Sequence, residues 1–433
     1  MKILFVHQNF PGQFPHLAPA LRDRGHQVLA LTAETNKRPS PVEVVKYRKP
    51  EKVTLSSPLT RLYAETSERG TKAALAARQL RDQHGYIPDV IFGHSGWGET
   101  LYLKEVWPEA KLLVYAELMY QTSGLDTDFD PEFRREGLGP KISTVARSAH
   151  LMQAMIQADA GLSPTKFQAG TFPPELRQKI SVIFDGVNTQ TIAPNPDARL
   201  NIPGTTLSFK PGDEVLTFVN RSLEPYRGYH SFMRALPEVM AARPNAHVVI
   251  VGDEGQSYGP APKESSWKQI FLDEVKDRLD LSRVHFLGRV PYPTFTALLQ
   301  VSRCHCYLTY PFVLSWSLLE ALASGCAVLG SDTAPVAEFI RHEDNGLLFP
   351  FFDQDAMVDG VHRLLTEDTQ PMRQRARGVE HRPRAALELD DRQPVVHVAA
   401  RGQAGVQAVG SQQHGEAGAL DLRQLLHRLA QGA

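Results

Sequence analysis

The stretch Tyr307–Glu338, YLTYPFVLSWSLLEALASGCAVLGSDTAPVAE, decides the fold class of this chain. Its pattern predicts a buried strand, a loop, and a helix whose first turn carries Ser315, Trp316 and Ser317. A second apolar strand follows at Ala327–Gly330. A strand, a helix and a further strand in this order are typical of α/β proteins with a parallel sheet.

The same stretch indicates a binding site for a phosphorylated ligand. A strand that leads into a helix amino terminus presents free backbone N–H groups and the positive end of the helix dipole, and both favour an anion. Glu320 follows one helical turn later, where a carboxylate would suit the vicinal hydroxyls of a ribose. Phosphate and ribose together predict a nucleotide-linked substrate.

Alternating strands and helices continue through both halves of the chain and predict two Rossmann-like, doubly wound parallel-sheet domains facing a cleft. Residues 1–195 form the predicted acceptor-side domain, 196–212 a linker rich in Asn, Pro, Gly and Thr, and 213–365 the predicted nucleotide-sugar domain. The predicted strands are Lys2–His7, Gln27–Thr32, Val42–Tyr47, Val90–Gly93, Lys111–Glu117, Ala158–Ser163, Lys179–Phe184, Val215–Asn220, His247–Gly252, Val284–Leu287 and Cys304–Thr309. The predicted helices are Phe14–Arg24, Glu68–Gln83, Tyr229–Ala242, Trp267–Asp280 and Tyr292–Val301.

The composition changes in residues 366–433, and this change predicts an atypical, irregular tail. No aromatic residue follows Phe352, although 8% of the whole chain is aromatic. One interpretation is a disordered extension, and the other is that a change of reading frame has replaced the native carboxyl terminus. Amphipathic periodicity returns only at Leu420–Leu429.

Charge and cysteine content exclude several classes of protein. The formal net charge of −1 gives no electrostatic reason to expect a nucleic-acid partner, and three cysteines do not make a disulfide framework. The run Cys304-His305-Cys306 does not predict a metal site, because adjacent side chains on a strand point to opposite faces. With no bilayer-spanning apolar run and no signal-peptide cleavage pattern, we expect a cytoplasmic protein, with peripheral contact to the inner membrane surface as a further option.

Two arginines form a second candidate for phosphate binding. In NRSLEPYRG, residues 220–228, Arg221 and Arg227 lie between a predicted strand and a predicted helix, where doubly wound sheets bind ligands. Two guanidinium groups separated by a short turn can hold a diphosphate with charge-assisted hydrogen bonds. The alternative is that both are solvated surface arginines.

Together with residues 307–338, this pattern resembles glycosyltransferase family 4 (group 1) of the GT-B fold, over about residues 1–365. The resemblance implies that Arg221 and Arg227 hold the donor diphosphate, with Arg227 in place of the family's lysine. It also implies that Glu320, the second of two family glutamates, binds the donor ribose. The first family glutamate falls on Phe312, so the carboxylate that contacts donor-sugar hydroxyls is absent here.

The predicted donor site extends to three further segments. The serines around Trp316 occupy the segment that caps the phosphates in the family, and the loop 288–290 lies where the family reads the nucleobase. A loop glycine after the first strand would let the backbone approach a phosphate closely. The predicted donor-binding residues are Gly12, Gly288, Val290, Ser315, Trp316, Ser317 and Glu320.

In the first half, His94 and Glu117 each end a predicted strand, and we expect both to face the acceptor. An imidazole titrates near physiological pH, which suits His94 to a role with the acceptor or the leaving group. His7 also ends a strand and is expected to be a satisfied structural histidine. Asp126-Thr127-Asp128 imitates the Asp-x-Asp metal motif of the other large glycosyltransferase fold, but its polar surroundings predict a solvated acidic loop.

The resemblance implies a glycosyltransferase of hexosyltransferase type, which moves a sugar from a nucleotide-diphosphate sugar to a saccharide, lipid-linked or small-molecule acceptor. It further implies retention of configuration, no metal or other cofactor, and a place in polysaccharide or glycolipid biosynthesis. Two alternatives stay open. One is another GT-B enzyme, such as a nucleotide-sugar epimerase or a phosphorylase. The other is a catalytically impaired scaffold, suggested by Phe312 and the atypical tail.

Overall fold

The structure, a computed structural model, describes residues 1–55 and 58–377. Within them the chain divides into two compact units. Unit 1 comprises residues 1–124 and 135–185, apart from the two residues that are not described. Unit 2 comprises Leu125–Arg134 and residues 186–377. A segment from the first half of the sequence therefore belongs to the second unit, which sequence reasoning did not predict.

Unit 1 is built on a seven-stranded parallel sheet in the order β3-β2-β1-β4-β5-β6-β7. Helices cover both faces of such a sheet, so its strands are apolar on both sides. In β1, Ile3 and Phe5 join one buried cluster while Leu4 and Val6 join the other, as the alternation of a strand requires. The strands are β1 Lys2–Val6, β2 Gln27–Ala33, β3 Glu43–Tyr47, β4 Val90–His94, β5 Lys111–Tyr115, β6 Ala160–Ser163 and β7 Ile180–Val182.

The helices of unit 1 differ most from the predicted ones. They are α1 Leu17–Arg22, α2 Arg61–His84, α3 Leu103–Val106, α4 Leu138–Gln157, α5 Lys166–Gly170 and α6 Pro174–Arg177. The helix α4 was not predicted. Its sequence contains the weak helix formers Ser143, Thr144 and Ser148, and its apolar residues are divided between a buried face and an exposed one, which obscures the periodicity.

Unit 2 has a six-stranded parallel sheet in the order β12-β11-β10-β13-β14-β15 and a separate antiparallel strand pair. The strands are β8 Leu200–Asn201, β9 Ser208–Phe209, β10 Val215–Ser222, β11 His247–Asp253, β12 Val284–Gly288, β13 Cys304–Tyr307, β14 Val328–Ser331 and β15 Leu347–Phe349. The helices are α7 Tyr229–Ala242, α8 Trp267–Val275, α9 Tyr292–Val301, α10 Trp316–Ala323, α11 Ala334–Ala337, α12 Gln354–Thr366 and α13 Gln370–Arg377. The small pair β8–β9 lies inside the segment predicted as a linker.

The predicted tail begins with α13. From that helix Arg373 donates to the backbone carbonyls of Gly325 at 2.8 Å and Arg303 at 2.6 Å, so residues 370–377 pack on unit 2. The rest of the tail, including the predicted amphipathic segment 420–429, lies outside the described residues.

Each sheet has one point where the order of the strands reverses. In unit 1 it lies between β1 and β4, and in unit 2 between β10 and β13. Open α/β sheets bind ligands at the carboxyl ends of the strands beside such a point. No helix in the described part of the chain combines the length and apolar character needed to cross a membrane.

Candidate active site

Arg227 is the buried cation at the reversal point of unit 2. It ends the short turn Pro225–Arg227 that follows β10, and only 5% of its surface is exposed. Its Nη1 donates to Thr309 Oγ1 at 2.8 Å and to the carbonyl of Val313 at 2.9 Å. Arg227 therefore connects the end of β10 with the loop that leads from β13 into α10.

Gly228 makes this placement of Arg227 possible. Its φ is +69°, and a Cβ atom there would lie 2.4 Å from the Cβ of Leu308. A side chain at this position would push the turn away from the residue after β13. The glycine of the arginine-glycine pair is therefore required by close backbone approach.

Arg221 occupies a different environment. It lies in the last part of β10 and is exposed to solvent. Within residues 1–55 and 58–377 its guanidinium group has no hydrogen-bond or ion-pair partner. The structure thus brings Arg227, and not Arg221, into contact with the loop before Ser315, and a shared ligand for both arginines remains a prediction.

Ser315 is the N-cap of α10, and its Oγ accepts the backbone N–H of Ser317 at 3.4 Å. The N–H of Ser315 itself donates to the hydroxyl of Tyr307 at 2.8 Å. Trp316, between the two serines, is an exposed large hydrophobic residue. Two of the amides predicted to cap phosphates are therefore engaged within the protein, and an anion at this turn would replace or share those bonds.

Glu320 accepts a hydrogen bond from the Tyr292 hydroxyl at 2.8 Å. Burial raises the pKa of its carboxyl group. Tyr292 begins α9, immediately after the loop that contains Gly288 and Val290, so this contact places Glu320 near the predicted base-binding loop. In that loop, Arg289 forms an ion pair with Asp253 at the end of β11.

Phe312, at the position of the missing family glutamate, is buried in an aromatic cluster. Its ring lies 4.9 Å from the ring of Tyr258 and 5.6 Å from that of Tyr226, measured between centroids. The guanidinium carbon of Arg227 lies 5.1 Å from the Tyr258 ring centroid and 5.7 Å from that of Phe312. Aromatic faces attract cations, so these rings help to hold Arg227 in place.

Glu224, which sequence reasoning missed, lies within the same turn. Its carboxylate accepts the backbone N–H groups of Tyr258 at 2.9 Å and Ser257 at 3.3 Å. Burial raises the pKa of Glu224 to about 7. Its position beside Arg221 and Arg227 in sequence was visible, but its partners lie more than thirty residues away and could not be identified without the fold.

In unit 1, the predicted residues His94, Glu117 and Gly12 lie in or just after β4, β5 and β1, neighbouring strands at the reversal point. The Nε2 of His94 is 3.6 Å from Glu117 Oε2. Gly12 has φ +52°, and a Cβ atom there would lie 2.7 Å from the ring of His7. The structure therefore brings His94 and Glu117 together, with the Gly12 loop against the neighbouring histidine.

His7 is buried, and its Nδ1 accepts the backbone N–H of Asn9 at 3.0 Å; its structural role remains a prediction. One prediction about polar residues is wrong. Asp126 is not solvated: it is 4% exposed and accepts the Tyr226 hydroxyl at 3.0 Å, although Asp128 is exposed. The physical reason is that residues 125–134 pack on unit 2. In the described part of the chain, no three His, Cys, Asp or Glu side chains are grouped to hold a metal ion.

Two parallel-sheet units, each with charged or polar groups at its reversal point, are typical of α/β proteins that bind ligands at the carboxyl ends of their strands. Two family models match the sequence: "Glycosyl transferase family 4 group" over residues 24–192 and "Glycosyl transferases group 1" over residues 206–380. The chain belongs to glycosyltransferase family 4, group 1, and is an enzyme that transfers a sugar from a nucleotide sugar to an acceptor.

Individual relatives are distant. A glycogen synthase of Mycobacterium tuberculosis is 20% identical over 403 residues, which cover 88% of this chain and 90% of that protein. A phosphatidyl-myo-inositol mannosyltransferase of Mycolicibacterium smegmatis is 27% identical over 160 residues, only 36% of either protein.

Solved structures show the same fold. The match to sucrose-phosphate synthase from Thermosynechococcus elongatus covers 88% of this chain and 94% of that protein's chain. The TM-score is 0.63 and the sequence identity is 16%. The match to HepE from Anabaena, solved in complex with UDP-glucose, covers 89% of this chain and 95% of that protein's chain. The TM-score is 0.58 and the sequence identity is 15%. The predicted GT-B fold and family are thereby confirmed.

Proposed function

We propose that unit 2 binds the nucleotide-diphosphate sugar with Arg227 on the diphosphate. The observation that carries this proposal is the buried guanidinium at the reversal point, held by Thr309 and Val313 beside the amino terminus of α10. Both of these bonds use Nη1. Within the described residues, the N–H groups on Nε and Nη2 have no protein acceptor, so they can donate to two diphosphate oxygens.

Arg227 then stabilises the leaving group. As the glycosidic bond breaks, negative charge develops on the β-phosphate, and a fixed cation aimed at that charge acts selectively on the transition state. The amino-terminal turn of α10, Ser315 to Ser317, adds a favourable dipole. Arg221 is the second cation, and its exposed side chain would close on the diphosphate when the donor binds. These groups supply the counter-charge without a metal ion.

The remainder of the donor contacts follow from the same arrangement. Glu320 accepts hydrogen bonds from the donor ribose, sharing that role with its bond from Tyr292. The backbone of Gly288 and Val290 contacts the base, and Trp316 lies beside the phosphates at the start of α10.

His94 and Glu117 act on the acceptor. The Nδ1 of His94 accepts the Gly96 backbone N–H at 2.9 Å, so a neutral His94 carries its proton on Nε2 and donates a hydrogen bond there. Glu117 is then the group that takes the proton from the attacking hydroxyl. The acceptor attacks on the face that the leaving group vacates, which gives retention without a covalent intermediate.

The test is release of nucleoside diphosphate by the full chain from a panel of uridine, adenosine and guanosine diphosphate sugars, with and without added saccharide acceptors. Arg227→Met should abolish release, whereas Arg278→Met, which removes an exposed arginine paired with Glu238, should not. An epimerase would convert the sugar without releasing nucleotide, and a phosphorylase would require phosphate. Binding without any turnover would support the scaffold.

We further propose that the acceptor belongs to a polysaccharide or glycolipid pathway and that unit 1 contacts a membrane surface. The helix α4 contains no acidic residue, and five apolar side chains spaced for one helical face are exposed: Leu138, Ile142, Val145, Met152 and Ile156. Exposed Lys141 adds a positive charge. Such a helix suits an anionic lipid surface. Cosedimentation with phosphatidylglycerol vesicles should fall in Ile142→Asp, and unchanged binding would reject this contact.

A further inference from the structure

The segment Leu125–Arg134 carries two buried carboxylates within unit 2. Asp126 is 4% exposed and Asp130 is 3% exposed. Burial of a carboxylate costs free energy unless hydrogen bonds compensate for the lost water. The partners of the two side chains therefore show what the segment does, and the proposed function has so far assigned it no role.

Asp126 contacts the turn that carries Arg227. Its Oδ2 accepts the hydroxyl of Tyr226 at 3.0 Å. Tyr226 directly precedes Arg227 in the short turn Pro225–Arg227. A charge-assisted hydrogen bond between these side chains restrains the turn from the phenol end, one residue from the buried guanidinium group.

Asp130 restrains the opposite side of the same guanidinium group. Its Oδ2 accepts the hydroxyl of Tyr310 at 2.5 Å and lies 3.1 Å from Nε2 of His230. Tyr310 directly follows Thr309, whose hydroxyl accepts Nη1 of Arg227 at 2.8 Å. Each carboxylate is thus bonded to a tyrosine that neighbours a residue of the Arg227 contact.

The two tyrosines are also joined to each other. The backbone N–H of Tyr310 donates to the carbonyl of Tyr226 at 3.0 Å, and their ring centroids are 4.8 Å apart. The Tyr226 ring lies 5.6 Å from the ring of Phe312, which in turn lies 5.7 Å from the guanidinium carbon of Arg227. The segment, the two tyrosines and the turn therefore form one connected arrangement around Arg227.

Aromatic packing keeps the segment itself in place. The ring of Phe129 lies 5.1 Å from that of Tyr310 and 5.2 Å from that of Phe351. The ring of Phe133 lies 5.3 Å from that of Trp267. Side chains on both sides of Asp130 are thus anchored in unit 2, so the carboxylates are held at fixed positions.

We propose that Asp126 is a positioning residue for nucleotide binding: through Tyr226 it holds the turn that carries Arg227. Asp130 and Tyr310 give the second support. The inference rests on the proposed function, in which Arg227 binds the diphosphate, and it deepens that function by naming a residue that acts without touching the ligand. A donor group that is fixed before the ligand arrives loses little entropy on binding, so loss of this restraint should weaken nucleotide affinity.

The experiment is calorimetric titration of uridine, adenosine and guanosine diphosphate into the full chain and into Asp126→Ala, with circular dichroism to establish folding. For the nucleotide that the wild type binds, Asp126→Ala should raise Kd roughly fivefold, which is within the range of couplings through a shared backbone. Asp126→Asn retains an oxygen that can accept the phenol, and it should restore most of the affinity.

Tyr47→Phe is the matched control. It removes another hydrogen bond between a buried phenol and a carboxylate, from the Tyr47 hydroxyl to Glu99 at 2.9 Å in unit 1. The melting temperature should fall in this variant, but nucleotide affinity should not change. The control therefore separates a general loss of stability from an effect on the Arg227 turn.

A double-mutant cycle tests whether Asp126 acts through Arg227. In the Arg227→Met background the turn no longer carries a donor for the diphosphate, so Asp126→Ala should change Kd by at most about twofold. An equal loss of affinity in both backgrounds would show that Asp126 acts independently of Arg227 and would overturn the inference.

Three other results would also overturn it: wild-type affinity in folded Asp126→Ala, no recovery of affinity in Asp126→Asn, or an equal loss of affinity in Tyr47→Phe. If Asp126→Ala does not fold, Tyr226→Phe removes the same bond while it keeps the ring, and the same expectations apply to it. Nucleotide release that depends on Arg227 but not on Asp126 would reject this inference alone. Release and affinity that do not depend on Arg227 would reject the proposed function as well.

Discussion

Replacing Arg227 by methionine tests the donor site most directly. Methionine retains much of the side-chain length and can still pack against the rings of Tyr258 and Phe312. It removes the positive charge and every N–H donor. The bonds to Thr309 Oγ1 and the Val313 carbonyl disappear, and we expect the free energy of unfolding to fall by about 2 kcal/mol, since net contributions of bonds to charged groups are about 1.5–3 kcal/mol.

The effect on the ligand should be larger. The Nε and Nη2 donors would make two charge-assisted hydrogen bonds to the diphosphate, and their loss should weaken binding by about 3 kcal/mol, or roughly 100-fold in Kd. Arg227→Lys keeps the charge but loses the planar fork, so we expect a loss of about tenfold.

The assay is calorimetric titration of uridine, adenosine and guanosine diphosphate into each variant, with circular dichroism to establish folding. Arg221→Met completes a double-mutant cycle. If both arginines hold one diphosphate, the losses should be non-additive by about 0.5 kcal/mol or more. A folded Arg227→Met protein with unchanged affinity for every nucleotide would refute the reasoning. Strict additivity would remove Arg221 from the site.

Three further predictions concern stability, measured by urea unfolding. Asp130→Ala should cost about 3 kcal/mol, because Asp130 lies 3.1 Å from His230 Nε2 in a buried pair. Burial alone would raise the pKa of Asp130, but hydrogen bonds from His230 and Tyr310 lower it, so this cost should shrink as the pH falls below about 4 and a constant cost would contradict it. Burial raises the pKa of Glu224 to about 7, so the folded state favours the protonated form and wild-type stability should fall from about pH 4 to pH 7. Glu224→Gln should remove that fall, and parallel pH profiles would reject the assignment. Phe312→Glu, which restores the family carboxylate, should cost about 3 kcal/mol because it buries a charge among aromatic rings, while Phe312→Leu should cost less; equal costs would argue against it.

The fold was predictable because its signal is local. Buried parallel strands are short apolar runs, and the helices between them have clear periodicity; the predicted bounds of α7 and α9, Tyr229–Ala242 and Tyr292–Val301, agree with the structure. The helix α4 was missed because it carries apolar residues on both a buried and an exposed face, which obscures the helical periodicity of its sequence. Strand ends were predicted too late where apolar residues continue into a loop, as after Tyr115 and Tyr307.

The site was predictable only in part. Each of its turns has a recognisable local sequence pattern, but the contacts between the turns join residues that are far apart in the sequence. The Arg227 turn and the Ser315 turn each stand out in the sequence. Their connection through Val313 joins residues 86 positions apart and appears only in the folded chain. Asp126 was misjudged for the same reason: its partner, Tyr226, is 100 positions away.

The two reversal points differ in the charge of their polar side chains. This difference supports the proposal that the two units bind different ligands. At the reversal point of unit 2, Arg227 is a buried cation with N–H groups free to meet an anion. At that of unit 1, the buried imidazole of His94 lies beside the Glu117 carboxylate, and a carboxylate disfavours an anion. A phosphate placed on unit 1 would meet Glu117, and a neutral polyol placed on unit 2 would leave the charge of Arg227 uncompensated. These differences support the proposal that unit 2 binds the diphosphate and unit 1 the hydroxyl-bearing acceptor.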